Sequence, residues 1–334
     1  MKKQIIFLTA IFLLAGSFSF AQNHWRVNNA FGIDADFTDI QAAFDSATAG
    51  DIIYIEGTNI PYGNGTAIKP FTIIGTGYFL AVNDSTQANL APSIVGTIYL
   101  NPGSEGTYAA GLTGSLRIGA SNVIIERNNL NNLYIGYNYD VGNIVIRQNY
   151  VSNIVDHSYY TSAVIQNNII TSYVSSSIKA NWLIYNNTFY GSYTSSNGLI
   201  SVYNSSIKNN IVFNTSSSYP CINTNPDNNN NIEFNVCNKE PWGDNPILEN
   251  NIWTAVIEEV IVNEGTAEKQ LYLIEDSPAI GYGESGVDCG VYGGLNPYIL
   301  SGMPPVPHIF KASVPVSATT TSGLPVNVQI KSQK

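Results

Sequence analysis

Charged residues are scarce in this chain, and most of them are negative. Only 11% of its 334 residues are Asp, Glu, Lys or Arg, and 14 basic residues against 24 acidic ones give a formal net charge of −10. Nucleic acids and anionic membrane surfaces are bound by clustered Lys and Arg, so the composition argues against both as partners. It also argues against a bare acidic polysaccharide, unless a metal ion or a local basic patch intervenes.

Cysteine is equally scarce, with three residues at positions 221, 237 and 289. Their spacing fits no zinc-binding pattern. Cys221 and Cys237 are one repeat apart, so they could form a disulfide across neighbouring turns. Alternatively, the three are small buried hydrophobic residues. The sequence leaves both interpretations open.

Long apolar runs are missing after the N-terminus, so we expect no membrane insertion, because a transmembrane helix needs about 18 such residues. Lys2 and Lys3 precede an apolar run over residues 5–14, and Ser19-Phe20-Ala21 forms a small-residue cleavage site. These features predict a secretory signal peptide over residues 1–21. Loss of the two lysines takes the net charge from −10 to −12. The mature protein is expected to be soluble and extracytoplasmic: secreted, periplasmic or at the outer cell surface.

What the chain does contain is a repeat. The pattern Ile-x-x-Asn occurs six times, with steps of 21, 19, 19, 23 and 25 residues between its marker asparagines, Asn128, Asn149, Asn168, Asn187, Asn210 and Asn235. Periods of this size are typical of repeat architectures. The positions five and three before each marker are mostly apolar, with the period-2 spacing of one strand face, and an apolar position follows two after it. Short strands with turn signals predict an all-β fold.

The marker asparagine itself has a structural explanation. Asn tolerates left-handed backbone angles, so we place a turn at the marker. Amides stacked about 4.8 Å apart on successive turns can form a hydrogen-bonded asparagine ladder, which would satisfy polar groups that are costly to bury. We therefore assign the column to architecture and not to catalysis.

One amphipathic helix is predicted ahead of the repeat, over about residues 38–49. Thr38 is expected to be its N-cap, and Gln41 would complete a capping box. The residues at 40, 43, 44 and 47 are apolar and share one face. The first turn of a repeat array exposes its core, so the helix is predicted to cover it.

The segments 36–43 and 49–55, read as DFTDIQAA and AGDIIYI, resemble the entry of right-handed parallel β-helix proteins of the pectin-lyase-like superfamily. The Ile-x-x-Asn turns resemble their coils. Residues 277–294 are similar to the final coil of secreted β-helix proteins of the Bacteroidetes-like type. The resemblance implies an all-β, right-handed parallel β-helix over residues 22–300. It implies little about activity, because this fold hosts lyases, hydrolases, epimerases, adhesins and inert scaffolds.

Residues 301–334 are predicted to be a Pro-rich linker followed by a short C-terminal β tail. Residues 304–307 read Pro-Pro-Val-Pro, which favours an extended linker. The segments 314–316 and 326–330 are predicted to pair as two short strands. We expect this tail to cover the bottom of the β-helix; docking to a surface-protein partner is the alternative.

A glycoside hydrolase needs two carboxylates about 5 to 9.5 Å apart. The column two before the markers contains no neighbouring acidic pair, and the paired-Asp motifs of polygalacturonase-like members are absent. We interpret this column as a solvated face with a Glu126–Arg147 contact between coils. If the protein is an enzyme, the sequence favours a polysaccharide lyase over a hydrolase.

A lyase needs a cation for the substrate carboxylate and a base for the α-proton. The best candidate catalytic set in the chain is Arg127, Arg147, Asp156 and His157. The alternative is that His157 is an ordinary surface residue. No cofactor is firmly predicted, although Asp140, Asp156 and Glu126 could bind Ca²⁺ through oxygen.

The chain is rich in tyrosine, with 21 residues, many of which fall between the marker strands. Tyrosine combines an apolar face with a polar tip, so a line of exposed tyrosines would form a platform for sugar rings. The alternative is that tyrosine is simply a good strand residue. The candidate ligand-binding residues are Tyr134, Tyr137, Tyr160, Tyr173 and Tyr193.

Three functions remain open at this point. The first is an extracytoplasmic β-helix protein that binds an extended polysaccharide or surface glycan along its lateral face. The second is a polysaccharide lyase or glycoside hydrolase acting in the same groove. The third is a structural component of a cell-surface assembly.

Overall fold

The computed structural model describes residues 22–216, 218–241, 250–317 and 323–332. The predicted signal peptide lies outside these ranges. The described chain forms a parallel β-helix, as predicted, with its main strands stacked in two long parallel sheets. Few helices interrupt it: α1 (Ile40–Ser46), α2 (Ile257–Val260) and 3₁₀ turns at Pro226–Asn228, Lys269–Leu271, Glu284–Gly286 and Leu300–Gly302.

The two sheets run along the stack on different sides. Sheet A contains, in spatial order, β1 (His24–Val27), β2 (Ile52–Ile55), β4 (Thr72–Ile74), β6 (Tyr108–Ala110), β8 (Ile124–Glu126), β10 (Val141–Arg147), β12 (Thr161–Gln166), β15 (Ala180–Tyr185), β18 (Ser206–Lys208) and β20 (Asn231–Glu233). Sheet B contains β3 (Gly65–Ala67), β5 (Ser93–Leu100), β7 (Leu112–Ile118), β9 (Asn129–Ile135), β11 (Tyr150–Asp156), β13 (Ile169–Ile170), β16 (Thr188–Gly191), β19 (Ile211–Asn214) and β21 (Val236–Cys237), with β14 (Val174–Ser175) and β17 (Ile200–Ser201) branching from β11.

The apolar columns predicted from the repeat form the interior. The isoleucines three before each marker pair in register, for example Ile125 with Ile146 and Ile146 with Ile165. The columns five before and two after the markers are buried as well, and include Trp182 and Phe189, both fully buried. The stack therefore has one continuous hydrophobic core, as expected for alternating strand faces wrapped into a coil.

The asparagine ladder is confirmed and is longer than predicted, because Asn251 continues it. Each side-chain amide donates to the Oδ1 of the next asparagine at 2.9–3.0 Å. That Oδ1 also accepts the backbone N–H of the preceding asparagine at 2.9–3.1 Å. The six predicted members are fully buried. Buried polar groups must be hydrogen-bonded to be stable, and the ladder amides meet this requirement.

The left-handed residue of each turn is the one before the marker, so our placement of it at the asparagine was wrong. The φ angles lie between 52° and 59° at these six positions, which are Arg127, Gln148, Asn167, Asn186, Asn209 and Phe234. The marker needs its side chain inside the coil for the ladder. The preceding residue makes the reversal and points its own side chain outward.

The capping helix is present but is shorter than the predicted range of about 38–49, because it spans Ile40–Ser46. Asp39, and not Thr38, is the N-cap, and its carboxylate accepts the N–H of Ala42 at 2.8 Å. Gln41 does not complete a capping box, because its amide oxygen accepts the N–H of Thr66 in the first coil. Residues Ile40, Ala43 and Phe44 are buried against that coil, so α1 does cover the end of the core.

Residues 277–294 do not form a final coil. Residues 277–303, which we call the strap, run back along the outside of the stack toward its N-terminal end. The outward side chains of the left-handed column hold it at successive coils. These contacts are Asn209 with Glu284, Asn186 with Asp288, Asn167 with Gly293, Gln148 with Pro297 and Arg127 with Met303.

A second hydrophobic core lies between the strap and the outer face of sheet B. Sheet B contributes outward residues from the first part of its strands, among them Ile169, Ile211, Phe213 and Val236. The strap and the segment leading into it contribute Val260, Ile261, Leu271, Ala279, Cys289, Val291 and Tyr298. One half of this outer face is therefore covered by the protein's own chain.

A buried carboxylate fastens the strap to the N-terminal coils. Glu268 is fully buried and accepts hydrogen bonds from Asn83 Nδ2 at 2.6 Å and from Tyr298 Oη and Ser301 N at 2.8 Å each. The hydroxyl groups of Tyr298 and Tyr78 are 2.5 Å apart. Burial raises the pKa of Glu268, although its hydrogen bonds oppose the shift.

The tail also departs from our prediction. Its strands are β22 (His308–Ser313) and β23 (Asn327–Lys331), so residues 314–316 are not the pairing strand. The tail lies beside the first coils and not at the bottom, because the strap carries the chain back. Ala88 N donates to Ile309 O at 2.8 Å. His24, Tyr54 and His308 contribute to a cavity of about 600 Å³ between the tail and the first coils.

Replacement of one ladder residue should destabilise the coil. In Asn168→Ala, the backbone and side-chain N–H groups of Asn149 would lose their acceptor in a buried site, which costs about 2–4 kcal/mol in unfolding free energy. Asn181→Ala is the matched control, because Asn181 is exposed, and should change stability by less than about 0.5 kcal/mol. Urea unfolding measures both. Equal losses would contradict the structural role of the ladder.

The raised pKa of Glu268 predicts a pH-dependent contribution. A carboxyl group whose folded-state pKa exceeds the unfolded value, about 4.3, contributes its full stability below that value and loses it as the pH rises through the folded-state pKa. The stability of the wild type relative to Glu268→Gln should therefore increase as the pH falls from 7 to 4. Urea unfolding at several pH values checks this, and a constant difference would contradict it.

Candidate functional site

The four predicted catalytic residues fall into two separate groups. Arg127 and Arg147 surround Glu126 at the end of sheet A strands β8 and β10. Asp156 and His157 lie at the end of β11 in sheet B. Each pair makes contacts with its own surroundings, so the structure does not bring the four together.

The predicted Glu126–Arg147 contact between coils is present, but it is not on a solvated face. Glu126 is 4% exposed. Its Oε2 accepts from Arg147 Nη2 and Tyr108 Oη at 3.0 Å each, and its Oε1 lies 3.3 Å from Arg127 Nε. Burial lowers the pKa of Arg127 although Glu126 opposes the shift, and burial together with Glu126 raises the pKa of Tyr108.

Arg127 is occupied in fastening the strap. Its Nε donates to Gln148 Oε1 at 2.8 Å and its Nη1 to Met303 O at 3.0 Å. Arg127 also occupies the left-handed position of its turn, with φ 56°. The two hydrogen bonds join Arg127 to the neighbouring coil and to the strap, so these contacts are architectural.

Asp156 organises the loop that follows β11. Its Oδ1 accepts the N–H and hydroxyl of Ser158 at 2.9 Å, and its Oδ2 accepts the Thr161 hydroxyl at 2.7 Å. His157 is exposed and packs its ring against Tyr134 and Tyr137, with centroids 4.9 and 5.7 Å apart. Asp156 and His157 are neighbours in sequence, but the contacts place them in different environments.

The carboxylates considered for Ca²⁺ each have other partners. Asp140 accepts the backbone N–H groups of Tyr159 and Tyr160 at 3.1 and 2.9 Å. Glu126 is held by the two arginines, and Asp156 by its loop. Among the described residues, no group of three or more His, Cys, Asp or Glu side chains is arranged to hold a metal ion.

The most distinctive feature outside the core is a line of aromatic side chains on sheet B. Tyr99, Arg117 and Tyr134 occupy one column on the adjacent strands β5, β7 and β9. The Arg117 guanidinium lies 5.4 Å from the Tyr99 ring, 5.1 Å from the Tyr134 ring and 4.2 Å from the Tyr137 ring. Such stacking orients the rings around the cation.

The line continues over the next coils. The rings of Tyr173 and Tyr193 are stacked, with centroids 4.5 Å apart. Burial raises the pKa of Tyr173, with smaller contributions from Tyr193 and Tyr134. Tyr173 precedes Val174, which pairs with Ile154 of β11, and Ile154 pairs with Leu133 of β9, so this pair begins two coils beyond Tyr134. We call the set the aromatic strip; its members are Tyr99, Arg117, Tyr134, Tyr137, His157, Tyr173 and Tyr193.

Tyr160 does not join the strip. It packs edge-to-face on Tyr159, and its hydroxyl accepts from Lys179 Nζ at 2.9 Å. Four of the five candidate ligand-binding tyrosines therefore form two pairs, Tyr134 with Tyr137 and Tyr173 with Tyr193, and the fifth belongs to a separate cluster.

Sequence reasoning missed Tyr99 and Arg117 as members of the strip. They lie on coils before Asn128, where the Ile-x-x-Asn marker is absent and the alignment of columns had no anchor. Aligning the apolar alternation of β5 and β7 with that of β9 would have found them, because Ile98, Leu116 and Leu133 are in register.

A different groove follows the outer face of sheet A beside the strap. It contains one depression of about 490 Å³, which includes Tyr108, Glu126, Arg147 and Asn296 in its lining. A second of about 380 Å³ includes Leu183, Tyr185, Lys208 and Glu284. Most of the charged groups here are paired with one another; Lys208, for example, bridges Glu233 and Glu284 at 3.0 and 2.8 Å.

The chain matches no known family model, and no curated protein matches it. No helix among the described residues is long and apolar enough to cross a membrane.

The group around Glu126 predicts a stability effect. Arg147→Met should cost roughly 1–3 kcal/mol, because it removes one partner of a buried carboxylate. The matched control is Lys208→Met, whose partners Glu233 and Glu284 are more exposed, with an expected loss below about 1 kcal/mol. Urea unfolding at neutral pH compares the two. A loss for Lys208→Met as large as that for Arg147→Met would refute the assignment.

Proposed function

We propose that this protein is an extracytoplasmic β-helix protein that binds an extended polysaccharide or surface glycan through the aromatic strip. The observation that carries the proposal is the presence of two aromatic pairs along sheet B, Tyr134 with Tyr137 and, two coils further on, Tyr173 with Tyr193. All four rings are partly exposed, and Tyr193 also packs against the interior core. These four tyrosines come from three coils, with Tyr134 and Tyr137 on the same one, so the stacking of the coils brings the two pairs onto the same side of the β-helix.

The accessibility of the strip supports this proposal. The strap covers the first half of the outer face of sheet B, where Tyr150, Ile169 and Ile211 lie. The strip lies on the other half, and its tyrosines remain partly accessible. Each ring offers an apolar face to the pyranose ring of a sugar and a hydroxyl group to the sugar's polar edge.

The geometry of the coil suits an extended ligand. Adjacent strands are about 4.8 Å apart, so aromatic groups on successive coils form a line parallel to the stack. The negative net charge of the chain favours a neutral glycan over a polyanion. An extracytoplasmic location, which rests on the signal peptide predicted from the sequence, would place this surface where such polymers occur.

Two single substitutions test the strip. Tyr134→Ala and Tyr173→Ala should each weaken binding to a neutral polysaccharide about threefold to tenfold, because each removes one stacking surface. Affinity electrophoresis in gels containing xylan, mannan, galactan or β-glucan measures the effect. Tyr160→Ala is the control, because Tyr160 is an exposed tyrosine outside the strip, and it should leave the affinity unchanged.

Two results would count against the proposal. One is a wild-type protein that none of these gels retards, even at low salt. The other is a Tyr160→Ala variant as impaired as Tyr134→Ala, which would show that the strip is not the binding surface.

A further inference from the structure

Two of the three cysteines meet inside the last coils. Cys221 and Cys237 are both fully buried and belong to the interior core of the β-helix. Cys237 lies on β21 beside Val212 of β19. The thiol of Cys221 donates to Val212 O at 3.0 Å and lies 3.1 Å from Asn238 Oδ1. Val212 is the register partner of Cys237 and Asn238 follows Cys237 in sequence, so the Cys221 thiol lies beside Cys237.

Cys289 lies on the other side of sheet B. It belongs to the second core, under the strap, and its thiol donates to Phe234 O at 3.2 Å. The sheet therefore separates Cys289 from the interior, and the three thiols divide into a pair and a single residue. All three are free thiols in this structure.

The hydrogen bonds of Cys221 place its thiol beside Cys237, and the two thiols are not equivalent. Burial by itself would raise the pKa of Cys221, but hydrogen bonds from Cys237 and from the backbone of Asn214 and Asn238 hold it below the usual value. Burial, reinforced by Cys221, raises the pKa of Cys237 well above the usual value. In the closed coil the Cys221 thiol is therefore the more acidic of the two.

We propose that Cys221 and Cys237 form a redox-active pair that closes to a disulfide and locks the last coils, with Cys289 remaining a free thiol. The position of the Cys221 thiol beside Cys237 in the interior core, and the position of Cys289 in the second core, carry this inference. It does not depend on the glycan-binding proposal.

The chemistry balances with a disulfide as oxidant, for example oxidised glutathione or a disulfide-bearing oxidoreductase. The Cys221 thiolate attacks one oxidant sulfur and expels the other as a thiolate, which leaves a mixed disulfide. Cys237 loses its proton and attacks the Cys221 sulfur, which releases the second oxidant thiolate. Two protein thiols and one oxidant disulfide become one protein disulfide and two oxidant thiols. Because both protein thiols are buried, the exchange takes place before the coil closes around them.

The position of the pair determines which part of the chain the disulfide would constrain. The closed loop runs from residue 221 to residue 237 and includes β20 and β21. Closing that loop restricts the unfolded chain at the end of the stack, which lies farthest from the α1 cap.

The test is to refold the mature protein in oxidised and reduced glutathione, denature it without reductant, alkylate it with iodoacetamide and measure its mass. We expect one adduct, on Cys289, and a peptide map that links Cys221 to Cys237. Cys289→Ser should give no adduct and the same link. Cys221→Ser should give two adducts.

A second measurement covers the case in which Cys221→Ser does not fold. Reduction of the oxidised wild type should lower its thermal unfolding midpoint by about 5 °C or more, and the same should hold for Cys289→Ser. Three adducts on a folded wild type, a link that involves Cys289, or a midpoint unchanged by reduction would each overturn the proposal.

Discussion

The rest of the structure depends on the buried hydrogen bonding of one column of asparagines. A side-chain amide without partners inside an apolar core would be strongly destabilising, and here every ladder amide is bonded to the backbone and to the next amide. This satisfaction is possible only when successive coils are in register. The ladder therefore fixes the stacking, and the stacking aligns every other column of the β-helix, including those on its surface.

The turn that accompanies the ladder divides the outer surface. The left-handed residue before each asparagine points outward, and five of these side chains hold the strap. The strap then covers one half of sheet B with a second core. The aromatic strip lies on the half that stays open. One local backbone conformation, repeated in each coil, thus decides which surface is available to a ligand.

The repeat pattern was sufficient to predict the coil, its interior columns and the ladder, because these depend on local periodicity and on the chemistry of one side chain. The capping helix was predicted from the helical spacing of apolar residues ahead of the repeat. It could not predict the path of the strap. Residues 277–294 resemble a coil in composition, but their partners are amide groups 75 to 126 positions earlier in the chain. Most of the candidate ligand-binding tyrosines converged because they belong to the aligned coils. The candidate catalytic residues lie in two places because Arg127 and Arg147 are at the ends of sheet A strands, whereas Asp156 and His157 are at the end of β11 in sheet B.

Because the strap returns to the first coils, this solenoid can complete its structure only after its last segment has been made. Coils that contact only their neighbours can form one after another as the chain emerges, but the Tyr78 and Tyr298 hydroxyl groups that meet under the strap are 220 positions apart. Until the last segment has been synthesised, the apolar outer face that includes Ile169, Ile211 and Phe213 faces solvent. A nascent molecule therefore exposes an apolar surface throughout elongation, and the time for which it can aggregate depends on how soon the C-terminal residues are synthesised.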